Sequence, residues 1–181
     1  MRNKIKQQAP AERIKNLFEV ALGFDKEAAK KEAGRCLQCQ DKPCLKGCPV
    51  EIDIPAFIKL IKEDKPEEAL KKIKEKNFLP AVCGRVCPQE DQCEAVCVLN
   101  KKKIPINIGA LERYAADYGN ARGQRSEDRG QRSEDRGQRS EDRGQRSEDR
   151  GQRKTVKVAI VGSGPAGLTC SAQLAQIGYQ V

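Results

Sequence analysis

The chain has 181 residues, a formal net charge of +9, 34% charged side chains, 4% aromatics and no Trp. That length admits one ordinary domain or two small ones, and the shortage of large apolar side chains argues against a big hydrophobic core, so a bound metal cofactor is a natural further source of stability. Nine cysteines with no histidine exclude every mixed Cys/His zinc site.

The first sixteen residues, "MRNKIKQQAPAERIKN", are polar and charged, so they carry no secretory h-region. No apolar run approaches the ~18–20 residues that span a bilayer. The chain therefore reads as soluble and cytoplasmic, a compartment where clustered cysteines bind metal more often than they pair. The lysine run "NKKKIP" at 100–105 reads as a solvated loop, and neither nucleic acid nor a membrane is expected as a partner.

Residues 1–119 hold eight of the nine cysteines, and the segments between them look helical. "PAERIKNLFEVALG" (10–23) places Ile14, Leu17, Phe18, Ala21 and Leu22 at helical spacing and predicts a helix ending at Gly23. "DKEAAKKEAG" predicts a helix with Asp25 as N-cap and Gly34 as its stop. "IPAFIKLIKED" and "PEEALKKIKEKN" predict a helical pair punctuated by Pro55 and Pro66, and "NIGALERYAADYG" a last helix ending at Gly119. Strand patterns are nearly absent, so the expected fold of 1–119 is a small all-α domain wrapped around whatever the cysteines hold.

Residues 120–153 are different. "GQRSEDR" occurs four times from Gly123 to Arg150. Each unit is neutral and lacks an apolar residue, so it can bury nothing, and a coiled coil would need apolar a and d positions. We expect a disordered linker here.

Residues 154–181 begin "KTVKVAIVGSGPAGLTCSAQLAQIGYQV". A buried-strand pattern at 155–161 runs into Gly162, Ser163, Gly164, Pro165, Ala166 and Gly167, then into a helix to about Gln176. Gly178 ends that helix and a further strand begins. A G-x-G-x-x-G turn between a β-branched strand and a helix is the context of a dinucleotide fingerprint, in which the helix N-terminus faces the pyrophosphate. The acidic residue that grips the ribose lies about 20 residues further on. The chain stops before it, so we expect a fragment of a longer protein, with an incomplete Rossmann-like domain at its end. Cys170, on the helix, is expected to be a buried structural thiol.

The remaining cysteines form two runs: Cys36, Cys39, Cys44 and Cys48, then Cys83, Cys87, Cys93 and Cys97. Zinc, disulfides and iron–sulfur clusters are the three options. Zinc sites often use C-x2-C pairs, and only Cys36 and Cys39 form one. A cysteine after three residues, followed by proline, instead ends the bacterial [4Fe–4S] motif, and it occurs twice, at Cys48-Pro49 and Cys87-Pro88. Two [4Fe–4S] clusters are the expectation; a zinc-stapled interaction module is the alternative of another class.

"CLQCQDKPCLKGCPV", "VCGRVCPQEDQCEAVC", "PINIGALERY" and "VAIVGSGPAGLTCSAQLAQIGY" together resemble the small (beta) subunit of NADPH-dependent glutamate synthase. Its N-terminal module is shared with dihydropyrimidine dehydrogenase and with the large subunit of the NADH-dependent reduced ferredoxin:NADP oxidoreductase. The resemblance covers about 10–119 and 154–181; the tandem repeat departs from it. It implies an α-helical ferredoxin-like domain with two [4Fe–4S] clusters, followed by an FAD domain that carries an inserted NADPH domain. Carried over by motif position, Cys36, Cys39, Cys44 and Cys97 hold one cluster. Cys48, Cys87 and Cys93 hold the other with a non-cysteine ligand, which falls on Glu112 and leaves Cys83 unligated. Counting alone instead assigns all eight cysteines, four to each cluster. The implied activity is electron transfer from NADPH through FAD and the clusters to a large glutamate synthase-type or other redox partner subunit, with a ferredoxin:NADP oxidoreductase subunit as the alternative. No residue reads as a catalytic acid, base or nucleophile.

Overall fold

A computed structural model describes residues 1–119 and 156–181, which belong to two compact units. The tandem repeat lies outside the described residues. The first unit holds helices α1 (Pro10–Arg13), α2 (Lys26–Ala33), α3 (Pro43–Lys46), α4 (Ile54–Lys62), α5 (Pro66–Lys74), α6 (Pro80–Val86) and α7 (Ile108–Tyr118). Strands β1 (Lys6–Gln7) and β2 (Ala21–Gly23) form a small antiparallel ribbon.

Local chemistry sets most boundaries. The Asp25 carboxylate accepts from the Ala28 amide at 2.9 Å and starts α2; Asp53 does the same for α4 through Ala56 at 3.3 Å. Proline sits in the first turn of α4, α5 and α6, where its missing N–H is no loss. Phe57, Ile58 and Ile61 of α4, Leu70 and Ile73 of α5, and Leu111 and Tyr114 of α7 make the centre of the core, with Ala29 and Ala33 of α2 packed in. Small residues on α2 let it lie close. Truncating Phe57, which is fully buried, to Ala would cost about 3–5 kcal/mol.

The helix expected over 10–23 does not form. Only one turn, α1, is helical, and Ile14, Leu17 and Phe18 are exposed. Asn16 is the cause. Its side chain donates to the Glu12 carbonyl at 2.9 Å and accepts from the Phe18 amide at 2.9 Å, replacing helical bonds with side-chain ones. The chain then turns back so that β2 pairs with β1.

α7 begins without a side-chain cap from its own N-cap residue, Asn107. Two buried glutamates from elsewhere serve instead. Glu32 accepts from the Asn107 amide at 3.0 Å and Glu94 from the Ile108 amide at 2.8 Å, placing negative charge at the helix's positive end. Glu32 also accepts from the Asn3 amide at 3.0 Å and pairs with Arg35, while Arg2 pairs with Glu94. The N-terminal segment thus joins α2 to α7.

In the second unit, helix α8 (Pro165–Gln176) occupies its expected span. The strand pattern before it does not make a strand over 156–161. One parallel bridge joins Lys157 to Gln180, and the Val158 amide donates to the Gln180 carbonyl at 2.8 Å. The flanking residues are not buried as the pattern suggested, because no further strand among the described residues pairs with them. Cys170 is exposed rather than buried, on a helix none of whose residues is fully buried.

Candidate metal centre

Two close approaches of the backbone assemble the cysteines. At Gly47, a Cβ would lie 2.6 Å from Val96 Cγ2 and 3.2 Å from the Cys93 Cα, so only glycine lets the 36–48 segment lie against the 92–97 segment. At Gly84, a Cβ would lie 2.6 Å from the Arg113 amide nitrogen and 2.9 Å from its Cα. That contact brings α6, with Cys83 just before the glycine and Cys87 just after the helix, to the stretch of α7 that carries Glu112.

The spatial groups that result exchange members between the two sequence runs. The thiols of Cys39 and Cys97 act on Cys36, and those of Cys36 and Cys97 act on Cys44. Cys36, Cys39, Cys44 and Cys97 line one partly open pocket, whose other walls are apolar side chains such as Ile54, Ile58 and Ile106. Cys48 belongs to the other group. It acts on Cys83, Cys87 and Cys93, and Glu112 acts on the same three. The second group is therefore Cys48, Cys83, Cys87, Cys93 and Glu112.

Burial dominates the electrostatics. It pushes the Cys44 thiol up to about 11 and the Cys93 thiol up to about 12, and it raises Cys36, Cys83 and Cys87. Glu112, only 6% exposed, is pushed by burial up to about 7, opposed by a hydrogen bond from Asn77. Among the described residues no cation pairs with it. A positive centre joining acids gathered in this way would favour their ionised forms. The donor set fits an iron–sulfur site: soft thiolates with apolar walls. Among the described residues no three Cys, Asp or Glu side chains are close enough to hold a single metal ion.

Three polar neighbours were not foreseen from the sequence. Gln38 donates to the Cys36 sulfur at 3.4 Å and to the Pro55 carbonyl at 3.0 Å. The Cys87 thiol donates to Gln92 Oε1 at 3.5 Å. Asn77 donates to Glu112 Oε1 at 2.8 Å and accepts from the Leu79 amide at 2.9 Å. The only available signal was "KNFLP", an Asn two residues before the leucine that precedes a proline-led helix, which suits an Asx turn.

In the second unit, Gly162 has φ +107° and Gly164 is the N-cap of α8, with Pro165 in its first turn. A Cβ on Gly167 would run into the Gly162 carbonyl, while open space surrounds Gly164 on its Cβ side. Ser163, Pro165 and Ala166 complete the turn from the extended segment into α8.

Residues 13–124 match the family described as dihydropyrimidine dehydrogenase domain II, 4Fe-4S cluster. The chain belongs to that family. The chain is similar to the NAD-dependent dihydropyrimidine dehydrogenase subunit PreT of Escherichia coli K12, with 36% identity over 91% of this chain and 35% of the relative. It is also similar to two NADPH glutamate synthase small chains. That of Escherichia coli K12 is 36% identical over 90% of this chain and 30% of the relative. That of Halomonas elongata is 34% identical over 93% of this chain and 31% of the relative. The chain thus spans about a third of the length of these relatives. No helix among the described residues is long and apolar enough to cross a membrane.

Proposed function

We propose that the chain is the iron–sulfur electron-transfer segment of an oxidoreductase of the NADPH-dependent glutamate synthase small-chain type. Cys36, Cys39, Cys44 and Cys97 hold one [4Fe–4S] cluster in this reading, and Cys48, Cys87, Cys93 and Glu112 the other. The observation that carries it is the exchange of Cys48 and Cys97 between the two spatial groups. In bacterial two-cluster proteins the cysteine before the proline likewise ligates the other cluster.

Bound clusters supply one-electron carriers whose potential follows charge, hydrogen bonding and solvent exposure. The chain's own residues set those terms. Ile54, Ile58 and Ile106 wall the first group with apolar surface, and Gln38 donates to a ligand sulfur. Glu112 gives the second group a carboxylate where the first has a thiolate, so the two sites would differ in potential. Gly162, Ser163, Gly164, Pro165, Ala166 and Gly167 would approach the pyrophosphate of FAD at the N-terminus of α8, with NADPH bound by other parts of a longer protein. Electrons would pass between the flavin and a partner subunit of the large glutamate synthase type. A glutamate synthase small chain and a dihydropyrimidine dehydrogenase subunit are equally similar to this chain, at 36%. This supports a segment that carries electrons while substrate choice lies elsewhere.

The test is an anaerobic dithionite titration of the visible absorbance. Two clusters predict broad absorbance that bleaches with uptake of about two electrons per chain. A colourless chain that takes up none would favour the zinc-stapled module.

A further inference from the structure

We infer that Asn77 is the positioning residue of the second group, holding Glu112, rather than Cys83, as the fourth donor beside Cys48, Cys87 and Cys93. This rests on the two-cluster reading. Asn77 is almost fully buried, between α5 and α6. Its Oδ1 accepts from the Leu79 amide at 2.9 Å, which fixes the plane of the side-chain amide and turns the NH₂ toward Glu112. One N–H meets Glu112 Oε1 at 2.8 Å, a contact between residues 35 positions apart. That bond occupies one carboxylate oxygen, so the other, Oε2, would be the one to hold iron. It also favours the ionised carboxylate, the form that ligates.

Cys83 sits in the same group, and Asn77 reaches its thiol as well. The two candidates differ in how they are held. Glu112 springs from the middle of the longest helix of the first unit, with Gly84 pressed against the next residue, and it keeps a buried hydrogen bond. Cys83 is less deeply covered than Glu112, on a helix of seven residues. Asn77 thus has two separable duties: an Asx turn that leads into α6, and an N–H that orients the ligand.

Asn77→Asp separates them, because Asp keeps the acceptor for Leu79 and loses the N–H. The experiment compares the anaerobically purified chain with its Asn77→Asp and Cys83→Ser variants by electron paramagnetic resonance and redox titration. The expected result is that Asn77→Asp shifts the g-values and midpoint potential of one cluster, or empties that site. The other signal, an internal control for folding, stays as in the parent. Cys83→Ser leaves both signals unchanged. A spectrum of Asn77→Asp indistinguishable from the parent overturns the inference, as does Cys83→Ser altering the same signal as strongly. A parent chain without iron and sulfide would sink the two-cluster reading itself, whereas a two-cluster parent with an unaltered Asn77→Asp spectrum sinks only the role of Asn77.

Discussion

Gly84 and Arg113 touch backbone to backbone: a Cβ on Gly84 would lie 2.6 Å from the Arg113 amide nitrogen. That contact sets the distance from α6 to α7, and with it the distance from Cys83 and Cys87 to Glu112. Arg113 is fixed on its other side, where its guanidinium donates to the Ala21 carbonyl at 2.8 Å and pairs with Glu19 at 2.7 Å and Asp117 at 3.3 Å. The helix therefore cannot step aside.

Gly84→Ala is expected to destabilise the chain by about 1–3 kcal/mol, although alanine is the better helix former by about 1 kcal/mol. The iron of the second group should fall while the first group keeps its own. Denaturation midpoints and iron content read both. A stable, fully loaded Gly84→Ala protein would show that α6 and α7 need not lie so close.

The exchange of cysteines between the sequence runs has its own signature. Cys97→Ser should perturb the same paramagnetic signal as Cys36→Ser, and Cys48→Ser the same signal as Cys93→Ser. Pairing by sequence order instead couples Cys97 with Cys93. Spectra of the four variants decide between the two.

Glu112 gives the metal-free chain a pH dependence. Its ordinary pKa of 4.5 is raised by burial to about 7. A carboxyl raised on folding contributes stability that is complete below about pH 4.5 and is lost as the pH climbs through about 7, a change of roughly 3 kcal/mol. Glu112→Gln cannot ionise, so it should flatten that part of the profile. Urea midpoints of the metal-free parent and variant at pH 5 and pH 8 give the comparison. Parallel profiles would mean that Glu112 does not titrate in this range.

Glu32 is 0% exposed and binds the amides of Asn3 and Asn107 together with Arg35. Glu32→Ala leaves these donors without an acceptor and should cost about 3–5 kcal/mol. Glu32→Gln should cost less, since its remaining oxygen still accepts from one of the two amides. Thermal melts followed by helical circular dichroism measure the difference, and equal losses would place the effect in packing rather than hydrogen bonding.

α2, α4, α5 and α7 were legible because their signals are local: a capping aspartate, a proline in the first turn, apolar residues three and four apart. Residues 10–23 carry the same spacing, yet the side chain of Asn16 outcompetes the helix after one turn. The strand pattern at 156–161 was overridden for another reason, because a strand needs neighbours and this one meets a single bridge. The site divides in the same way. Which residue types bind metal was readable from the cysteine runs. Which of them meet was not, because that depends on Gly47 and Gly84 as points of contact between distant segments, and nothing in their own neighbourhoods marks them. The grouping of Cys97 with Cys36 could be anticipated only through the family resemblance. Glu32 and Glu94 as caps for α7 left no local trace at all, lying 75 and 14 residues from the amides they bind.

The most direct test is the iron, zinc and acid-labile sulfide content of the anaerobically purified chain. The two-cluster account predicts about eight iron and eight sulfide per chain and no stoichiometric zinc. About two zinc per chain with no sulfide would contradict it.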